Sequence, residues 1–400
     1  MKTTRVLLLV AAFLASLLPA AARGDAPERQ ADQTKNVKLL AHFPFENEEG
    51  DFFAGGTDID FQGKFVYAMQ QAEQGGVHII KHSKNGKAKK LSFIPCPGEQ
   101  NDVAVVKPGL IALGYHNSTC GDPGGGVKLL DVKNPKRPKM LGAVNDLPGG
   151  THTLTVYPGK PIIYASPGGL ANGGGVEQIL DVSNPNKPEV AATFTPNPAG
   201  CHDLSFHISK DKKLAACAGA GETQIWDVSD PIAPQTIGHL PNPFMFFQHS
   251  AYFSHDGNLL VVTDENFGAL ECSGGPTGAL HVWDVSNPSA PIYQSFFGID
   301  RGPAVWATGV NDRSTWCTSH NGNFIPGTNT LVMSWYAAGM NVIDLSDPTS
   351  PQEIAHYMAE DGKSNYWSAY WYDGRIYAND RVDGLDVFEI RGLKEGKHDH

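Results

Sequence analysis

One phrase recurs along the chain, and it limits the possible folds more than any other feature. It reads Leu129-Leu130-Asp131-Val132-Lys133-Asn134-Pro135 with Pro138, then Ile179-Leu180-Asp181-Val182-Ser183-Asn184-Pro185 with Pro188. It returns as Ile225-Trp226-Asp227-Val228-Ser229-Asp230-Pro231 with Pro234, as Val282-Trp283-Asp284-Val285-Ser286-Asn287-Pro288 with Pro291, and as Val342-Ile343-Asp344-Leu345-Ser346-Asp347-Pro348 with Pro351. Weaker copies run from Val77 to Lys81 and from Leu385 to Ile390, which makes seven. Each phrase is an apolar strand stopped by a turn, because Asn or Asp before Pro starts a turn and Pro donates nothing to a ladder. A short alternating strand follows, such as Glu189 to Phe194, and a hairpin precedes, such as Asp203 to His207 with Leu214 to Cys217. Each unit therefore has four antiparallel strands, A to D.

Units of roughly 50 residues with four strands each are propeller blades rather than helical solenoid repeats. The expected fold is all-β: a seven-bladed β-propeller of four-stranded antiparallel blades. The last copy lacks a D strand, and Val37 to Phe43 reads like the D strand Ile354 to Tyr357. The first strand is thus expected to complete the last blade and close the ring, which removes an exposed sheet edge. The expected organisation is a signal peptide over 1–24, a linker over 25–36, the propeller over 37–392 and a disordered tail over 393–400. The leader has Lys2 and Arg5 before an apolar run from Val6 to Leu18, then Pro19 and three alanines, a run too short to span a bilayer.

Trp226-Asp227 and Trp283-Asp284 invite comparison with WD40 repeats, but the Gly-His partner of that repeat is absent and its turn is not Asn-Pro. The phrase instead resembles that of the LVIVD-repeat β-propellers, in at least five of the seven blades. That resemblance implies the fold and leaves the activity open, since one fold hosts many functions.

Aligning the blades on strand A gives a column of Thr57, Asn101, His152, His202, His249, His320 and Trp367, each four residues before an apolar position. The next column is Asp58, Asp102, Thr153, Asp203, Ser250, Asn321 and Ser368. Strand A lines the central channel, so both columns are expected around one mouth, with Asp58, Asn101, Asp102, Asp203, Asn321 and Trp367 as its polar and aromatic lining. Four consecutive blades offer imidazole, the commonest transition-metal ligand, so His152, His202, His249 and His320 form a candidate site for copper, zinc or iron. The competing reading is that a polar pair at each strand start ties neighbouring blades together. Asp264 and Glu265 end a B strand near that mouth, where they read either as an acid/base pair or, the expected case, as solvated strand-end carboxylates.

The loops joining B to C and D to A share the face on which strand A starts. They are long and irregular, as in Glu265 to Thr277 and Gly298 to Ser319, and long loops on a rigid scaffold carry function. All six cysteines fall on that face. An even count in an exported chain points to disulfides. Cys96 with Cys120 and Cys201 with Cys217 each flank an A-B hairpin, which leaves Cys272 with Cys317.

The formal net charge is −11, and the leader takes away only basic residues, so an acidic chain of this kind excludes a nucleic-acid partner. No later run is apolar and long enough for membrane insertion. The leading functional expectation is a monomeric binding module, secreted, periplasmic or at the cell surface, that presents its disulfide-braced face to a small molecule, glycan or protein. The alternatives are a metal-dependent oxidoreductase with its ion at the histidines, and a purely structural cell-surface propeller.

Overall fold

A computed structural model describes residues 31–396, apart from 46–54, 72–73, 84–87, 99, 117–119, 121–123, 169–174, 197–199, 267–271, 303–315, 360–363 and 383. The leader, most of the linker, the Asn117-Ser118-Thr119 sequon and the middles of the long loops lie outside the described residues.

The recurring phrase builds the third strand of a four-stranded antiparallel sheet, as expected. Blade four is typical, with Asp203–Ile208, Lys213–Gly219, Glu222–Asp227 and Gln235–Pro241 in ladder order. The aspartate of the phrase explains the turn that follows. Asp131, Asp181, Asp227, Asp284 and Asp344 each accept a hydrogen bond from the backbone N–H two residues on, at 2.8 to 2.9 Å, which fixes the strand exit before the Pro arrives.

Seven such sheets form a ring, a seven-bladed β-propeller. The A strands are Gly56–Gln62, Asp102–Lys107, Thr153–Val156, Asp203–Ile208, Gln248–Phe253, Gly322–Phe324 and Tyr366–Tyr372. Each touches the next in order, and the last touches the first. Seven clusters of buried apolar side chains occupy the blade junctions, one at each. The cluster between blades four and five, for instance, packs Leu214, Ala216 and Ile225 against Phe253, Leu260 and Val262. Burial of these faces is the main favourable term that holds a ring of otherwise separate sheets together.

The ring closes as the repeat count required: Val37–Pro44 pairs antiparallel with Gly384–Ile390 and supplies the missing D strand of blade seven. Two expectations about the ends are corrected. Ala31–Gln33, placed in a linker, forms a fifth strand on the D strand of blade six, Gln352–Ala359. Residues 393–396, placed in a disordered tail, pack on the ring: Leu393 lies against the blade six to seven cluster, and Trp371 Nε1 donates to Glu395 at 3.0 Å. In both cases a short segment covers strand edges or apolar side chains that the repeat pattern did not count.

Candidate metal centre at the channel mouth

The start of each A strand places the first column around the channel. Thr57, Asn101, His152, His202, His249, His320 and Trp367 are all buried. The N–H groups of His152, His202 and His320 donate to the B strands of their own blades, at Ser166, Ala218 and Ser334, which sets each imidazole at the same height. Ring centroids are 4.3 Å apart from His152 to His202, 4.2 Å from His202 to His249 and 4.0 Å from His249 to His320. The four histidines thus stand as one arc. Trp367 extends it by an edge-on contact with His320, ring centroids 4.6 Å apart.

The second column ties blades, as the competing reading had it. Asp102 accepts from Val103 N and from Leu154 N of the next blade, both at 2.6 Å, and Thr153 Oγ1 donates to His202 O at 2.8 Å. Ser250 Oγ donates to His320 O, and Tyr252 OH to Asn321 Oδ1. Asp58 accepts from Ile59 N and from Tyr370 of blade seven, while Asp203 accepts from Leu204 N. Burial raises the carboxyls of Asp58 and Asp102 and lifts Asp203 to about 7, so this tier carries less charge than its formula suggests. Asn101 donates to Cys96 O at 3.2 Å and so belongs to the wall rather than to the histidine arc.

Four residues of the site were not legible in the repeat. Glu265 was read as a solvated strand end, and it is buried: its Oε2 stands 3.6 Å from His249 Nε2 and its Oε1 3.5 Å from His320 Nε2. Tyr336 donates to Glu265 Oε1 at 2.6 Å and packs on His320. His116 stands with its Nε2 2.9 Å from His152 Nδ1. Arg381 is fully buried with its guanidinium 5.3 Å from the Trp367 ring and 5.6 Å from that of Tyr336. The only signal for Glu265 was its place at a strand end on the loop-rich face. Asp264 is also buried rather than solvated. It accepts from Phe247 N and Gly278 N and so staples two loops together, and Gly278 is at φ +75 where a Cβ would stand 2.8 Å from Cys317 O.

His202, His249 and Glu265 each offer a ligand atom within 4.8 Å of the others. Burial, together with the neighbouring imidazoles, holds His152, His202 and His249 far below the usual range, so they are neutral, the form that binds a metal. Burial alone would raise the Glu265 carboxyl. Its neighbours His320 and His202 and the Tyr336 hydroxyl outweigh it and hold Glu265 below the ordinary carboxylate range. An ionised carboxylate beside the neutral imidazoles of His202 and His249 is a cation-attracting arrangement.

The loop-rich face above the arc is braced by three disulfides: Cys96–Cys120, Cys201–Cys217 and Cys272–Cys317. These are the pairs that hairpin position and elimination predicted.

A family model for the LVIVD repeat matches residues 277–296 and 336–359, which contain the phrases of blades five and six. The chain carries LVIVD repeats. No curated protein matches it in sequence. Among solved structures this LVIVD propeller is similar to the WD40 beta propeller domain of Doa1, with a TM-score of 0.60 and 9% identity over 90% of this chain and 99% of that one. At that identity the likeness concerns the fold alone, and the histidine arc has to be read from its own geometry.

Proposed function

We propose that this LVIVD propeller is an extracytoplasmic binding module whose deepest determinant is a transition-metal centre of His202, His249 and Glu265, with His320 as a fourth donor and His152 beside it. One observation carries the reading. Metal–ligand bonds of about 2.0 to 2.1 Å put tetrahedral donors roughly 3.4 Å apart. Glu265 lies 3.6 Å from His249 Nε2 and 3.5 Å from His320 Nε2, too far for good hydrogen bonds and near the spacing of ligands that share an ion. His320 Nε2 is buried with no hydrogen-bond partner among the described residues, which a metal bond would relieve. The donor set of imidazoles and one carboxylate suits zinc, copper or iron. Tyr336, donating to Glu265, supports the carboxylate as outer partners of metal ligands do. The three disulfides fit an oxidising compartment.

Phe244 and Phe246 favour a partner at the same face. Each is 60% exposed on the loop entering blade five, next to Phe247, which packs on His202. A small molecule, glycan or protein arriving there would meet apolar contact directly beside the centre.

The test is elemental analysis of untagged protein purified without chelator, followed by calorimetric titration of Zn²⁺ and Cu²⁺ into metal-stripped protein. About one equivalent per chain is expected, lost in His249→Ala and strongly weakened in Glu265→Gln. Absence of metal above background together with no calorimetric uptake removes the metal centre.

A further inference from the structure

Beside the arc lies a cavity of about 10 Å³, which is room for one water-sized group. His152, His202 and His249 line it together with Asn101, Asp102 and Trp367. Glu265 is not part of its lining, so the cavity adjoins the imidazole side of the candidate centre. His202 Nδ1 is buried and has no hydrogen-bond partner among the described residues, although His202 is one of the walls. A buried imidazole nitrogen left without a partner is costly, so an occupant within its reach is favoured.

The walls are held in place. Asn101 donates to Cys96 O at 3.2 Å and to Pro97 O at 3.4 Å, and Cys96 is bonded to Cys120. Asp102 spends both oxygens on backbone N–H groups of two blades, and Trp367 is wedged against His320. A group larger than the cavity would have to displace a disulfide-braced hairpin or a blade tie. Close-packed interiors resist that, because over-packing forces side chains out of their rotamers.

We infer that the centre takes an exogenous ligand of one or two heavy atoms in this cavity, such as water, hydroxide or a diatomic, and that Asn101 sets the size limit. The inference rests on the metal reading above and deepens it by naming the ligand class. Larger partners then act from the loop face without entering the coordination sphere.

The experiment uses Cu²⁺-loaded full-length protein, with electron paramagnetic resonance as the readout and fluoride and imidazole as probes. Fluoride should shift the spectrum and add a ¹⁹F splitting, while imidazole should leave wild type unchanged. Asn101→Ala should bind imidazole on the order of tenfold or more tightly than wild type, the factor released when an over-packed contact is relieved. Asn101→Ser serves if the alanine variant misfolds, with near-ultraviolet circular dichroism as the check on folding. Equal imidazole binding by wild type and variant, or no response to fluoride in copper-loaded wild type, overturns the size limit. Failure of wild type to take up copper at all falls instead on the metal reading, so the two failures are distinct.

Discussion

The Tyr336 hydroxyl donates a 2.6 Å hydrogen bond to Glu265 Oε1, joining residues 71 positions apart in sequence. Tyr336 sits at φ +35, in the left-handed region that a bulky side chain rarely adopts, and its side chain is fully buried. The bond therefore links backbone strain in blade six to the carboxylate that faces His249 and His320. Tyr336→Phe removes the donor and leaves Glu265 with one buried oxygen less well satisfied. The expected outcome is a loss of about 1–3 kcal/mol of stability in metal-stripped protein and a loss of metal affinity of about 10- to 100-fold. Denaturant melts and metal titration of the same variant read the two effects. A melt shift with unchanged affinity would make Tyr336 structural only.

Glu177 gives a pH prediction with a definite sign. It occupies an interior position of strand C where the other blades place Val77, Val127, Thr223, Leu280, Met340 and Leu385, and it is fully buried. Ser166 donates to its Oε1 at 2.6 Å, while Oε2 has no hydrogen-bond partner among the described residues. Burial lifts its carboxyl from the ordinary 4.5 to about 8. A carboxyl raised on folding binds its proton more tightly in the native state, so its contribution is full below pH 4.5 and is lost as pH rises to about 8. Glu177→Gln should flatten that slope. At pH 8 the variant should be more stable than wild type by about 2 kcal/mol, the gain from removing the buried charge less the unmet N–H of the amide. Thermal melts at pH 5 and pH 8 measure the difference, and a variant less stable at both would show that the carboxylate is not carrying the penalty.

The two N-terminal strands should separate in a truncation series. Ala31–Gln33 pairs only with the outer edge of blade six, at Tyr357 to Ala359, whereas Val37–Pro44 completes blade seven. Removing residues up to Gln33 should lower the melting temperature modestly, because a complete four-stranded blade remains. Removing residues up to Phe45 exposes the edge of Gly384–Ile390 and should cause aggregation. Light scattering on heating compares the two, and similar behaviour of both truncations would place closure elsewhere.

The repeat phrase, the blade count and the strand that closes the ring were all readable in the sequence. They depend on local rules: an apolar run, an aspartate that caps its own turn, and a proline that ends the ladder. The alignment on strand A also put His152, His202, His249 and His320 into one column, because equivalent positions in a repeat take equivalent positions around an axis. The three cysteine pairs followed from hairpin position in the same way.

What the repeat could not supply comes from residues that break it. Glu265, Tyr336, His116 and Arg381 hold no recurring place in the phrase, and each enters the mouth from a strand end or a loop whose path is set by neighbouring blades. Glu265 shows the reason most clearly. A carboxylate at a strand end is solvated unless something covers it, and here the cover consists of His249, His320 and Tyr336, contributed by two blades. The sequence by itself determined the ring and the histidine column, since both follow from periodicity. Only the tertiary structure decided which side chains meet within a few ångströms across blades, because that depends on packing between segments far apart in the chain.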